Sequence, residues 1–241
     1  MIEKRALQID GEHLTIADVV AVARGGRPVD EMLPPVVRER VEASRSWVDA
    51  LVRNGEKYAY GINTGFGIFS SRHLEPGEAQ MLTRNLLLSH ACGVGEPLPD
   101  EVVRATMLIR ANTLAKGYSG VRTETIETLL KMLNRRVHPI VPSKGSLGAS
   151  GDLAPLSHLA LVLSAPLDGE SAEDDPFGYQ GGRARFEGQE MTGAEAMAAA
   201  GIPRLRLGAK EGLALNNGAT VSAALAALIA HDAVELVKHA E

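Results

Sequence analysis

Apolar residues recur at three- and four-residue spacing along most of the chain, which is the pattern of helices with one buried face. In "IADVVAVAR" they follow Thr15, whose hydroxyl suits a helix N-cap, and the run stops at Gly25-Gly26. "PPVVRERVEASRSWVDALVRNG" keeps the spacing, with proline at its start and Gly55 at its end, the usual asymmetry of helix ends. Further helices are expected near 77–91, 99–116, 121–134 and 152–164. "RALQIDGEHLTI" alternates about Asp10-Gly11 and predicts a hairpin of two short strands. "RARFEGQEM" predicts a second small hairpin. Between 165 and 187 the chain is acidic and glycine-rich, which predicts a surface excursion rather than a linker between domains. The final segment, "LNNGATVSAALAALIAHDAVELVKHAE", is rich in Ala and Leu and carries no stop signal.

Composition narrows the class. The 241 residues include 45% hydrophobic and 23% charged residues, ordinary for a globular protein with a real core. A net charge of −5 offers no basic face for phosphates and argues against a nucleic-acid partner. The single cysteine, Cys92, excludes an internal disulfide and fits a reducing compartment. No charged-then-apolar leader opens the chain, and no run of about 18 apolar residues is apparent. The expectation is a cytoplasmic protein without a membrane partner.

One stretch carries unusual chemistry: "GSLGASGDLAPLSHLAL", 145–161, sets Ala149, Ser150 and Gly151 before Asp152 and an apolar helix. The phosphate-binding loops with G-x-G-x-x-G or a terminal Lys-Ser/Thr do not match it. Nor does the nucleophile elbow G-x-S-x-G, since Asp152 stands where the second glycine is required. As a plain turn, Asp152 would cap the helix, and Pro155 is tolerated in its first turn. A capped turn leaves the small residues around Ser150 unexplained. If the Gly151 nitrogen attacks the Ala149 carbonyl, a five-membered ring closes around Ser150. Loss of two waters then leaves an exocyclic methylidene, a strong electrophile. Glycine leaves the attacking nitrogen unhindered, and a helix N-terminus beyond favours negative charge building up on the ring.

"GSLGASGDLAPLSHLALVL" closely resembles the signature of the ammonia-lyases and aminomutases that build a methylidene-imidazolone (MIO) from Ala-Ser-Gly. "YGINTGFG" (60–67), "RNLLLSHACGVGEPL" (84–98), "RANTLAKGYSGVR" (110–122) and "AKEGLALNNG" (209–218) resemble further blocks of that family, in family order. The resemblance implies a mainly α, fumarase/aspartase-like fold whose long helices bundle in a tetramer, with residues 1–241 as its N-terminal, MIO-containing part. It implies that Ala149, Ser150 and Gly151 form the MIO, with no external cofactor, and that Asp152 assists the dehydration. Tyr60 matches the tyrosine taken as base for the substrate β-proton. A tyrosine is mostly protonated at neutral pH, so such a base needs positive potential or hydrogen bonds around it. Asn217 would hydrogen-bond near the MIO, while Asn216 departs from the usual aliphatic residue.

Ser89 and His90 match the pair that faces the substrate ring, and Ser-His in that place resembles the histidine ammonia-lyases. That implies elimination of ammonia from L-histidine to give trans-urocanate. Tyrosine or phenylalanine lyases and aminomutases are the alternatives, as is a catalytically silent protein with an assembly or binding role. His158 reads as structural. The seven histidines form no H-x-x-x-H or Cys/His cluster, so no catalytic metal is expected. Members of the family run to roughly twice this length, and the C-terminal half that supplies the carboxylate-binding arginine has no counterpart here. The expectation is therefore a truncated lyase, incomplete alone, whose apolar last helix draws it into a homo-oligomer.

Overall fold

Thr15 opens the first helix as its spacing predicts: its hydroxyl accepts from the Asp18 amide, and the Asp18 carboxylate accepts from the Thr15 amide in return. A computed structural model describes residues 5–55, 57–148 and 151–241. The helices are α1 (Ile16–Ala23), α2 (Pro35–Asn54), α3 (Ala79–His90), α4 (Asp100–Leu114), α5 (Thr123–Asn134), α6 (Leu153–Leu163), the short α7 (Pro176–Tyr179) and α8 (Gly193–Ala199), α9 (Glu211–Asn216) and α10 (Thr220–Ala240). Gly55 ends α2 with a φ of 66°, a left-handed cap that only glycine adopts freely.

α4 and α5 form the centre. Leu108, Leu129 and Leu130 are fully buried there, each stabilising the fold by about 1.5–3 kcal/mol. α1 and α10 pack on α4, while α6 packs on α3 and α9. Strands are minor. β1 (Val94–Pro97) pairs antiparallel with β3 (Pro142–Lys144). β2 (His138–Pro139), β4 (Arg183–Phe186) and β5 (Gln189–Thr192) form an antiparallel sheet in the order β2-β4-β5. The predicted hairpin at 183–191 is β4 and β5, turned by Glu187 and Gly188, both at positive φ.

The predicted hairpin about Asp10-Gly11 does not form. The Asp10 carboxylate instead accepts from the amides of Glu12 and His13, and Gly11, at φ 89°, packs so close to Ala115-Lys116 that a Cβ would lie 3.0 Å from the Lys116 nitrogen. Leu7 pairs in parallel with Val29 rather than across the turn. The excursion at 165–187 is strapped down more firmly than its composition implies. The buried Arg84 guanidinium binds both carboxylate oxygens of Glu170 and the Gly178 carbonyl, and Phe177 meets the His158 ring edge-on.

α10 corrects the expectation that no long apolar run exists. It has 21 residues, with an 18-residue stretch at a mean hydropathy of 1.5, and is long and apolar enough by length and composition to cross a membrane. Core helices of globular proteins pass the same test. Here Val221, Ala224 and Leu228 are buried, and Arg24 pairs with Asp232 to tie the helix to α1's end.

Candidate active site

The segment at Gly151 owes its shape to two glycines pressed together. Gly151, at φ 102°, bridges in parallel to Gly218, and the Asp152 amide donates to the Gly218 carbonyl at 2.9 Å. A Cβ on Gly151 would lie 2.6–2.8 Å from the Gly218 carbonyl carbon, oxygen and nitrogen, so no other residue fits. Ala149 and Ser150 lie outside the described residues. The two described residues that follow fit the group that Ala-Ser-Gly would form: Gly151 offers a nitrogen with no side chain beside it, and the Asp152 carboxylate is held by hydrogen bonds.

That carboxylate does not cap α6, contrary to the simplest sequence expectation. Asp152, 3% exposed, stands at the start of the helix without bonding its amides. Its oxygens accept from the Ser146 hydroxyl at 3.0 Å, the Ser222 hydroxyl at 3.0 Å and the Ser222 amide at 2.9 Å. The acceptor thus ties the loop before the tripeptide to the first turn of α10. Ser222 had no signal in the sequence, because the contact joins positions 70 apart.

Asn217 follows α9 in extended conformation, and its exposed side chain has no hydrogen-bond partner among the described residues. Its neighbour Asn216 is fully buried. The Asn216 amide donates to the Ser157 hydroxyl on α6 at 3.1 Å, and its own Oδ1 has no partner among the described residues. α9 also contacts two further candidate segments. A Cβ on Gly61 would meet Leu213 at 2.5 Å, and one on Gly212 would meet the Thr83 carbonyl of α3 at 2.7 Å. α9, which leads into Asn217, thus touches both the Tyr60 loop and the helix bearing Ser89-His90.

The Tyr60 loop is rigid at its base and open at its tip. Buried Asn63 accepts from the Ala59 amide at 2.8 Å and donates to the Lys57 carbonyl at 2.7 Å. Tyr60 is 59% exposed, its hydroxyl accepting from the Gly67 amide at 3.3 Å. On α3, His90 Nδ1 lies 2.9 Å from the Leu86 carbonyl and 3.0 Å from Ser89 Oγ, which itself donates to Leu86 at 3.1 Å. A carbonyl only accepts, so Nδ1 carries a proton in this contact, and in that neutral tautomer Nε2 is the acceptor. Beyond it, the Gly93 amide donates to Nε2 of His158 at 3.0 Å, and a Cβ on Gly145 would come within 3.0 Å of Gly93. Burial pulls the His158 pKa below its ordinary 6.5, in keeping with a structural, neutral ring. Among the described residues no three His, Cys, Asp or Glu side chains gather to hold a metal.

The fold is shared with solved ammonia-lyases and aminomutases. The ergothionase of Treponema denticola superposes with a TM-score of 0.85 at 30% identity, over 96% of this chain and 43% of that one. Histidine ammonia-lyase from Trypanosoma cruzi gives 0.77 at 32%, over 92% and 39%. Residues 14–241 match the aromatic amino acid lyase family, and the chain belongs to it. It is 52% identical to the histidine ammonia-lyase of Gloeobacter violaceus over 235 residues, which is 98% of this chain but 42% of that protein.

Proposed function

We propose that this chain forms the electrophile-bearing part of a histidine ammonia-lyase, which converts L-histidine to trans-urocanate and ammonia. The observation that carries the reading is the Gly218 backbone closed against Gly151, beside the oriented Asp152 carboxylate. The Gly151 nitrogen would bond to the Ala149 carbonyl carbon, whose oxygen leaves as water with the amide hydrogens of Ser150 and Gly151. A second water takes the Ser150 hydroxyl and its α-hydrogen. Asp152 would accept a proton in that dehydration. An MIO formed there would supply an electron sink for the substrate's amino group. Tyr60, as base, would take the β-proton as the Cα–N bond breaks and the double bond forms.

Substrate choice rests on His90. Its Nε2 lone pair suits the N–H of a substrate imidazole, while an apolar ring would leave it unpaired at a cost of about 1–3 kcal/mol. The high identity to a histidine ammonia-lyase supports the same choice. The chain spans 42% of the length of its Gloeobacter violaceus relative, and the group that binds the substrate carboxylate would come from outside that span. Exposed Cys92 supports a cytoplasmic setting, and the apolar exposed side of α10 supports a homo-oligomer. The test is a substrate panel on the chain joined to the remaining residues of a relative, monitored by urocanate absorbance. Histidine should turn over fastest, and the 241-residue chain alone should show little or no activity. Faster reaction of tyrosine or phenylalanine would overturn the substrate, and a β-amino acid product would make the protein an aminomutase.

A further inference from the structure

Arg110 takes no part in that chemistry, yet it is 3% exposed in the middle of α4. Burying a guanidinium is costly unless its donors are satisfied. Among the described residues it forms no ion pair. Its Nε donates to the Leu215 carbonyl at 3.0 Å, Nη2 to the carbonyls of Ala214 and Asn217, and Nη1 to the Thr220 hydroxyl at 3.2 Å. Burial pulls its pKa down to about 10, against the opposing pull of Asp152.

Those acceptors are not arbitrary. A helix ends with carbonyls that lack partners, and α9 ends at Asn216, two residues before the Gly218 that touches Gly151. Arg110 collects the carbonyls of two α9 residues and of Asn217, and then reaches the first residue of α10. The guanidinium lies directly against Gly218: a Cβ there would sit 2.8 Å from Nη1. On its other side Gly218 touches Gly151. The order through space is Arg110, Gly218, Gly151, with no room for a methyl group at either glycine.

We infer that Arg110 is the positioning residue that clamps the Asn217–Gly218 turn against Gly151-Asp152. The clamp fixes the exposed Asn217 amide, and it holds the Gly151 nitrogen where ring closure needs it. The consequence for ring closure rests on the reading of Ala149-Ser150-Gly151 as an MIO precursor; the clamp itself does not. The same helix provides a control. Arg104, 8% exposed, donates to the carbonyls of Val22, Ala23 and Leu133, bracing the ends of α1 and α5 far along the chain from the tripeptide.

Hydrogen exchange resolved at the Asp152 amide, whose acceptor is the Gly218 carbonyl, tests the clamp in the 241-residue chain. Arg110→Met should speed that exchange about tenfold or more, while Arg104→Met loosens α1 and α5 and leaves Asp152 protected. Arg110→Lys, which keeps charge but loses the fork, should fall between them and serves if Arg110→Met is insoluble. Unchanged Asp152 exchange in the Arg110 variants would overturn the inference, as would equal loosening by Arg104→Met. A second readout is the fraction of soluble chains two waters lighter, which should drop in the Arg110 variants alone. Where the wild-type chain alone has unmodified mass, the mass comparison is made on the chain joined to a relative's remaining residues, and the exchange comparison decides the role of Arg110.

Discussion

Asp152 shows what a residue's neighbours in sequence do and do not reveal. Its place before an apolar helix marked it correctly as the start of α6, but its carboxylate serves Ser146 and Ser222 instead of the helix amides. The acidic side chain was legible, and the partner 70 positions away was not. Gly151 was legible for a local reason, since only glycine frees the nitrogen, yet the close approach of Gly218 gives the stronger constraint. Asn216 departs from an aliphatic residue, and the structure supplies the compensation: Ser157 accepts its amide proton inside the core. Ser157→Ala should therefore cost about 1–3 kcal/mol by leaving that buried amide unpaired. Adding Asn216→Leu should recover part of the loss, since removing both partners leaves nothing unpaired. Thermal melts of the two variants decide it, and a double variant no more stable than Ser157→Ala would contradict the assignment.

At the scale of elements, the long helices were readable because apolar spacing and end signals agree. α2 begins at proline and stops at Gly55, and α5 covers nearly the predicted stretch. The Asp10-Gly11 hairpin failed because a turn signal fixes a reversal of the chain, not the segment with which the returning chain pairs. Pairing of β2 with β4, across about 45 residues, has no local signal. Buried His158 and half-buried His138 sit where such distant elements meet, and they set an expected pH dependence. Burial holds His158 below its ordinary 6.5, and it also pulls His138 down against the upward pull of Asp100. Between its lowered folded value and 6.5, the unfolded chain binds protons that the folded chain does not. Stability is therefore full above about pH 6.5 and falls as pH drops through that window. His13, raised by its hydrogen bond to Asp10, has the opposite sign, but it is fully exposed and solvent screens its pair. The melting temperature should fall between about pH 7.5 and pH 5.5. His158→Gln, which keeps an acceptor for the Gly93 amide, should flatten that fall, and an unchanged slope would contradict the assignment.

For the whole molecule, the sequence conveyed family, class and the separate site segments, but not how they converge. α9 is the junction, touching α3, α6 and the Tyr60 loop, and nothing in "AKEGLALNNG" announces that position. The chain spans 42% of the length of its Gloeobacter violaceus relative, and α10 leaves Ile229, Val234, Leu236 and Val237 exposed. An apolar stripe of that kind favours burial against another chain. Light scattering at micromolar concentration should find oligomers, and Ile229→Lys with Leu236→Lys should shift them toward monomer without altering the helix content. A clean monomer of the unaltered chain would contradict this.

The central claim is that Ala149-Ser150-Gly151 becomes an electrophile, and intact mass spectrometry tests it most directly. The 241-residue chain and the same chain joined to a relative's remaining residues should both be purified as soluble, folded protein. The expected result is a joined protein lighter than its sequence by two waters, with the loss confined to the peptide holding Ala149, Ser150 and Gly151. An intact sequence mass in folded, joined protein would contradict it.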